Sequence, residues 1–266
     1  MHLTVPDAPR AAEWYERSLG LLATRDGDGR FALGDGTEPV LVLREDPAAR
    51  PPTRHDAGLY HYALLYPSRR ELARAALRLA DTQTPIQGAS DHHTHEAIYL
   101  PDLYGNGIEL AADRPREAWP RGLGYDGGPA PLDFADLLGT VERDDVPERV
   151  GPGLRVGHLH LHVGDVEEGL AFYRDVIGFE EQMNLGRAAF VSAGGYHHHV
   201  AFNTWRGAEP VAPGTIGMER WTVVLPSSED VARVRERVVV GGLEAEDADG
   251  GFVTRDPWRN ALHVRA

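Results

Sequence analysis

The chain of 266 residues has no cysteine and no lysine. Without cysteine there are no disulfides and no thiolate metal sites, so any metal must be held by nitrogen and oxygen. The missing lysine leaves arginine as the whole of the 27 basic residues, a compositional bias without mechanistic content. No run of about 18 apolar residues is present, and the N-terminus lacks a basic segment followed by an apolar one, so neither a membrane span nor a secretory signal is expected. A cationic excess is missing too. The formal charge of -14 argues against nucleic acid, which needs a positive surface to release counterions, and against an anionic membrane face. The expectation is a soluble cytoplasmic protein, monomeric or homo-oligomeric, with small molecules as partners.

What is present is repetition. Residues 158–179, HLHLHVGDVEEGLAFYRDVIGF, follow the plan of residues 2–22, HLTVPDAPRAAEWYERSLGLL: an alternating strand, a loop ending in Asp, then a helix with an aromatic pair closed by glycine. Residues 59–68, LYHYALLYPS, foreshadow 218–227, MERWTVVLPS, and DLYGNGIEL at 102–110 foreshadows DPWRNALHV at 256–264. Self-similarity at a period of about 50 residues marks one supersecondary unit used several times.

Strand and helix signals within each unit predict a βαβββ module. Modules at 1–46 and 57–112 form an N-terminal domain, 113–153 a Pro- and Gly-bearing linker with a short helix at 132–138, and modules at 154–205 and 215–266 a C-terminal domain. Helices are expected over 8–18, 69–81, 166–176 and 227–240, with Ser68 as a good N-cap. A single module has one bare sheet face, so modules must pair to enclose it. The fold class is α+β: four modules pairing into two cupped half-barrel sheets.

Some residues break the apolar pattern. Alternation along the strand at 157–163 puts His158, His160 and His162 on one face and three aliphatics on the other. The aliphatic face suits packing on the module's own helix, so the histidines look into the cavity. In YHHHVAFN (196–203), the polar set His197, His199 and Asn203 is the expected cavity face, and His198 points away. Module two adds His61 on its first strand and Glu109 on its last. Neutral imidazole and carboxylate oxygen suit Fe(II), Mn(II), Zn or Ni, and two His with one carboxylate leave coordination positions open.

GLYHYALLYPS, QGASDH, DLYGNGIEL, GHLHLHV and GGYHHHVAFNTW together resemble the vicinal oxygen chelate superfamily, over nearly the whole chain. That group includes glyoxalase I, bleomycin and fosfomycin resistance proteins and extradiol ring-cleaving dioxygenases, and the match is to its four-module, catechol-2,3-dioxygenase-like branch. The resemblance implies a metal triad of His158, seven residues before Asp165, with His61 and Glu109. In module four the corresponding places hold Arg220 and His263. A complete triad therefore requires module two to join module three, with one and four as a degenerate pair; sequential pairing would scatter the ligands.

The resemblance further implies Fe(II), or Mn(II), with a catechol-like diol and O2 as substrates. It places Tyr99, ten residues before Glu109, beside the metal and His92 against the substrate. His93 and His95 read as passengers. On strand phase His199, then His197, is the expected acid–base residue, while the family motif registers equally well with His198 in that role; a histidine pKa near ~6.5 suits proton transfer at neutral pH. His160 and Asn203 are expected to line the substrate cavity. Because this fold carries many chemistries, two alternatives accompany the dioxygenase: a metal-dependent isomerase or transferase of the glyoxalase or fosfomycin-resistance type, and a metal-free binding protein of the bleomycin-resistance type.

Overall fold

The computed structural model describes residues 1–120 and 128–266; residues 121–127, inside the expected linker, lie outside the described residues. All four modules have the βαβββ order. Module one runs β1 (His2–Val5), α1 (Ala8–Leu19), β2 (Leu22–Arg25), β3 (Phe31–Gly34) and β4 (Pro39–Glu45). Module two runs β5 (Gly58–Tyr66), α2 (Arg69–Asp81), β6 (Gly88–Asp91), β7 (His95–Pro101) and β8 (Gly107–Asp113). A short strand β9 (Ala130–Pro131) and helix α3 (Phe134–Leu138) follow. Module three comprises β10 (Arg155–His162), α4 (Val166–Leu170), β11 (Glu180–Asn184), β12 (Ala188–Ser192) and β13 (Val200–Asn203). Module four comprises β14 (Gly217–Val224), α5 (Ser228–Val240), β15 (Glu246–Ala248), β16 (Gly251–Arg255) and β17 (Ala261–Arg265).

The helices start where side chains satisfy their first free N–H groups. Asp7, Ser68, Asp165 and Ser227 each accept from the backbone N–H three residues on. Gly20 and Gly178 close α1 and the module-three helix in the left-handed region, at φ 70 and 99, where glycine carries no Cβ penalty. The module-three helix departs from regular α geometry: after Leu170 it widens into a π-type turn over Ala171–Ile177.

By contact density the chain forms two compact units, one of Val5–Pro47 and His61–His158, the other of Met1–Thr4, Ala48–Tyr60 and Leu159–Ala266. In the first unit, β10 lies beside β5 and the order continues β8, β7, β6, β9. Gly157 permits this approach, since a Cβ there would stand 2.8 Å from Cβ of Leu65. Strands β5 and β8 run parallel, which sets His61 opposite Gly107 and Ala63 opposite Glu109. Helix α2 buries Leu72, Ala73, Ala75, Leu77 and Leu79; at about 1.5–3 kcal/mol for each large side chain removed from water, that face holds the helix in place.

The segment expected as a linker is partly built into this unit. Strand β9 pairs with β6, and Arg69 on α2 bridges Glu96 on β7 and Asp136 on α3. Strand β6, GASD, carries no apolar alternation, since its four residues are small or polar.

In the second unit, β1 pairs antiparallel with β14, and β14 runs parallel to β17, followed by β16 and β15. The order β11, β12, β13, β10 completes its other sheet. Within this unit β1 of module one thus shares a sheet with module four, and within the first unit the start of β10 shares one with module two.

The repeat extends to atoms. The aromatic pairs Trp14–Tyr15 and Phe172–Tyr173 both stack edge to face, at 5.0 and 4.9 Å. In each, the tyrosine hydroxyl donates at 2.9 Å to a buried aspartate, Asp102 or Asp256, which also accepts the backbone and side-chain amides of Asn106 or Asn260 at 2.8 Å. Two sequence echoes are therefore one hydrogen-bonded clamp built twice, each tying a module's helix to the strand turn of the next.

Candidate metal centre

His61, Glu109 and His158 converge within the first unit. Parallel pairing of β5 with β8 and the proximity of β10 bring Nε2 of His61 and Nε2 of His158 each to 3.1 Å from Oε2 of Glu109. The three donor atoms lie within 4.8 Å of one another, and all three residues are buried, Glu109 to 1 % exposure. Two donors bound cis at about 2.1 Å to one ion stand about 3.0 Å apart, so the observed separations fit an ion gripped on one face.

Charge leads to the same fit. Burial alone would raise the Glu109 carboxyl, but His158 foremost, then His61 and His95, outweigh it and hold the pKa well below the usual carboxylate range. Burial also lowers the pKa of His158, against the pull of Glu109. A buried carboxylate bonded to imidazoles is costly without a cation to compensate it.

Tyr99 and His92 stand in the same unit. Tyr99 pairs with Glu109 in the β7–β8 register, and its hydroxyl lies 2.7 Å from Nε2 of His92. Burial, then the neighbouring His95, lowers the His92 pKa to about 4, so His92 is neutral at physiological pH.

His95 overturns its reading as a passenger. Its Nε2 lies 3.1 Å from Oε1 of Glu109, its Nδ1 2.9 Å from Oγ1 of Thr94, and its ring stacks on His92 at 4.6 Å. The signal was available: residues 95, 97 and 99 alternate on one face of β7, so the phase that points Tyr99 at Glu109 points His95 the same way.

The remaining expected residues belong to the second unit. Asn203 links two histidines, its Nδ2 at 2.7 Å from Nε2 of His160 and its Oδ1 at 2.9 Å from Nδ1 of His162. The β10–β13 register pairs His160 with Ala201 and His162 with Asn203, so this set shares a face as expected.

The alternation expected over 197–203 does not hold, because β13 begins only at Val200. His199 turns aside: its ring stacks on Tyr196 and Phe179, and its Nδ1 accepts the Ala193 N–H at 3.1 Å. His198 instead packs on Phe190, which also touches His160, and its Nδ1 meets that of His197 at 2.9 Å. A chain leaving its strand for a loop no longer obeys the period of two, which removes the reason for preferring His199.

The acid sensitivity of the metal-free protein follows from these groups. A histidine whose folded pKa is depressed binds protons more readily unfolded, so stability is present above the unfolded value near ~6.5 and is lost as pH falls toward the folded one. Glu109, also depressed, acts in the same direction at lower pH. For His92, whose pKa is about 4, the loss between those limits is on the order of 3 kcal/mol. Urea titrations of metal-free wild type and His92→Phe at several pH values should show the shallower acid dependence in the variant; equal slopes would contradict this.

The residues 1–110 and 155–264 match the family model described as Glyoxalase/Bleomycin resistance protein/Dioxygenase superfamily. The chain is 39% identical over 270 aligned residues to a Bacillus subtilis (strain 168) protein named catechol-2,3-dioxygenase, covering 97% of this chain and 93% of that one. Among solved structures, a putative dioxygenase from Bacillus subtilis superposes with TM-score 0.64 at 15% identity, covering 99% of this chain and 83% of the other. The cppA protein of Streptococcus pneumoniae superposes with TM-score 0.63 at 13% identity, covering 99% and 96%; at such identities both show the fold alone. Four βαβββ modules, a family match along both halves and a full-length relative agree: the chain belongs to the Glyoxalase/Bleomycin resistance protein/Dioxygenase superfamily.

Proposed function

We propose that this protein is an extradiol dioxygenase that opens the ring of a catechol-type aromatic diol with O2, using Fe(II) held by His61, His158 and Glu109. The observation that carries the reading is the pair of 3.1 Å separations from Oε2 of Glu109 to two imidazole Nε2 atoms. The full-length relative named catechol-2,3-dioxygenase supports the choice of reaction. When bound, such an ion supplies Lewis acidity toward a hydroxyl and redox chemistry toward O2.

The protein's own part is to position donors and move protons. His61, His158 and Glu109 present one carboxylate oxygen and two imidazole nitrogens from three different strands, a rigid base for the ligand set. Tyr99 and His92, at 2.7 Å, share one hydrogen between phenol oxygen and imidazole nitrogen. With His92 neutral, this pair accepts or supplies a proton at the Tyr99 oxygen. In this reading His160 and Asn203 serve substrate binding. Among the three adjacent histidines, the role first given to His199 and His197 passes to the His197–His198 pair, because the His199 Nδ1 is engaged by a backbone N–H.

Protein purified without oxygen and loaded with one equivalent of Fe(II) should consume O2 on addition of catechol or a substituted catechol and form a yellow ring-opened product. Bound iron with no O2 uptake across several diols would remove the dioxygenase reading and favour the isomerase or transferase alternative.

A further inference from the structure

We infer that His95 is a positioning residue for Glu109, holding the carboxylate so that a single oxygen faces the metal position. The inference rests on the metal-binding reading above and concerns how that site is kept open. The two oxygens of Glu109 serve different partners. Oε2 meets Nε2 of His61 and of His158, whereas Oε1 meets Nε2 of His95, each at 3.1 Å. His95 stands outside the set of three donors that lie within 4.8 Å of one another.

Backbone pairing accounts for the placement. The antiparallel β7–β8 register sets Tyr99 against Glu109, Ala97 against Ala111 and His95 against Asp113. His95 therefore opens the same face of β7 that Tyr99 closes, one strand away from the carboxylate. Its ring is fixed from two sides: Thr94 Oγ1 lies 2.9 Å from Nδ1, and His92 stacks against it with an interplanar angle of 9°. His95 and Thr94 are both buried.

The tautomer follows from the partners. A carboxylate only accepts, so Nε2 of His95 must carry the hydrogen donated to Oε1, and its Nδ1 then accepts from the Thr94 hydroxyl. Thr94–His95–Glu109 is thus a directed chain of donors ending on Oε1, whereas His61 and His158 meet Oε2. Outer partners of this kind orient ligands and raise affinity.

The consequence is a count of free positions. With Oε1 engaged by His95, Glu109 would offer one tooth, so that with two nitrogens it would fill three of the six positions of an ion that takes six donors. Three stay open, enough for a chelating diol together with O2. A two-toothed Glu109 would leave only two.

The test uses the whole protein and Co(II) alone, read as a dissociation constant by equilibrium dialysis and as donor number by X-ray absorption, with circular dichroism as the check on folding. His95→Phe is expected to weaken Co(II) binding about 10–100-fold. His95→Gln, whose side-chain amide still donates, should stay within a few-fold of wild type, and Thr94→Val should fall between. Unchanged affinity in His95→Phe would overturn the inference, as would His95→Gln as weak as His95→Phe, or three imidazoles on Co(II) in the wild type. A wild type that binds no divalent ion would instead remove the functional reading itself, with this inference alongside.

Discussion

Replacing Glu109 with glutamine is expected to abolish binding of divalent metal and, with it, activity. The loss should exceed the roughly 100-fold that removal of an outer partner costs, because the variant deletes the only anionic donor of the triad. Glutamine keeps the shape and one carbonyl acceptor but has no charge to balance a dication. In the wild type, a ligand that binds only the folded state stabilises it by about 2.7 kcal/mol at one hundred times its dissociation constant. Mn(II) should therefore raise the melting temperature of wild type and leave that of Glu109→Gln unmoved. His263→Ala is the matched control. His263 holds the place of Glu109 in module four, bonds the Asp249 carbonyl at 2.9 Å and belongs to the other compact unit. Metal stoichiometry should be unchanged in His263→Ala. Metal lost there and kept in Glu109→Gln would refute the assignment of the triad.

Asp102→Ala should be the most destabilising of the substitutions considered, by about 3–5 kcal/mol in urea denaturation. Asp102 accepts from Tyr15 Oη, from the Tyr104 and Asn106 backbone amides and from Asn106 Nδ2, at 2.8–2.9 Å. Burial pushes its pKa up, and these four hydrogen bonds draw it back. Alanine would leave the donors buried without an acceptor, each at a cost of about 1–3 kcal/mol before relaxation. The clamp also bears on the metal position, since Tyr15 Oη lies 2.8 Å from Oη of Tyr62, the neighbour of His61, and the Asp102–Asn106 turn feeds the strand that carries Glu109. Asp256→Ala, which removes the equivalent acceptor of Tyr173 and Asn260, should lose comparable stability. A loss below about 1 kcal/mol in either would mean that the donors find other partners.

Much of this architecture is legible in the sequence. The four modules announce themselves because each repeats the same local instructions: alternating apolar strand, capping Asp or Ser, amphipathic helix, closing turn. Helices α1, α2 and α5 accordingly lie within a residue of their expected bounds. Short polar strands were not legible. Strands β6 and β9 exist because a neighbouring edge supplies their hydrogen bonds, and nothing in GASD or AP demands it.

His95 and His198 show the two ways in which site residues escape. His95 had a phase that could be read but no partner visible nearby, because Glu109 is fourteen residues away and meets it only through the β7–β8 register. His198 had a phase that misled, because periodicity is a property of paired strand and residues 193–199 precede β13.

The sequence by itself determined the module, its repetition and the nitrogen-and-oxygen character of any metal site. These are consequences of composition and of periodicities that act over a few residues. Only the tertiary structure decided that β5 lies beside β10, that one oxygen of Glu109 meets two imidazoles while the other is held by His95, and which of three adjacent histidines shares a wall with His160. Those outcomes depend on strand register and on where a strand ends, which are set by hydrogen bonds between segments far apart in the chain.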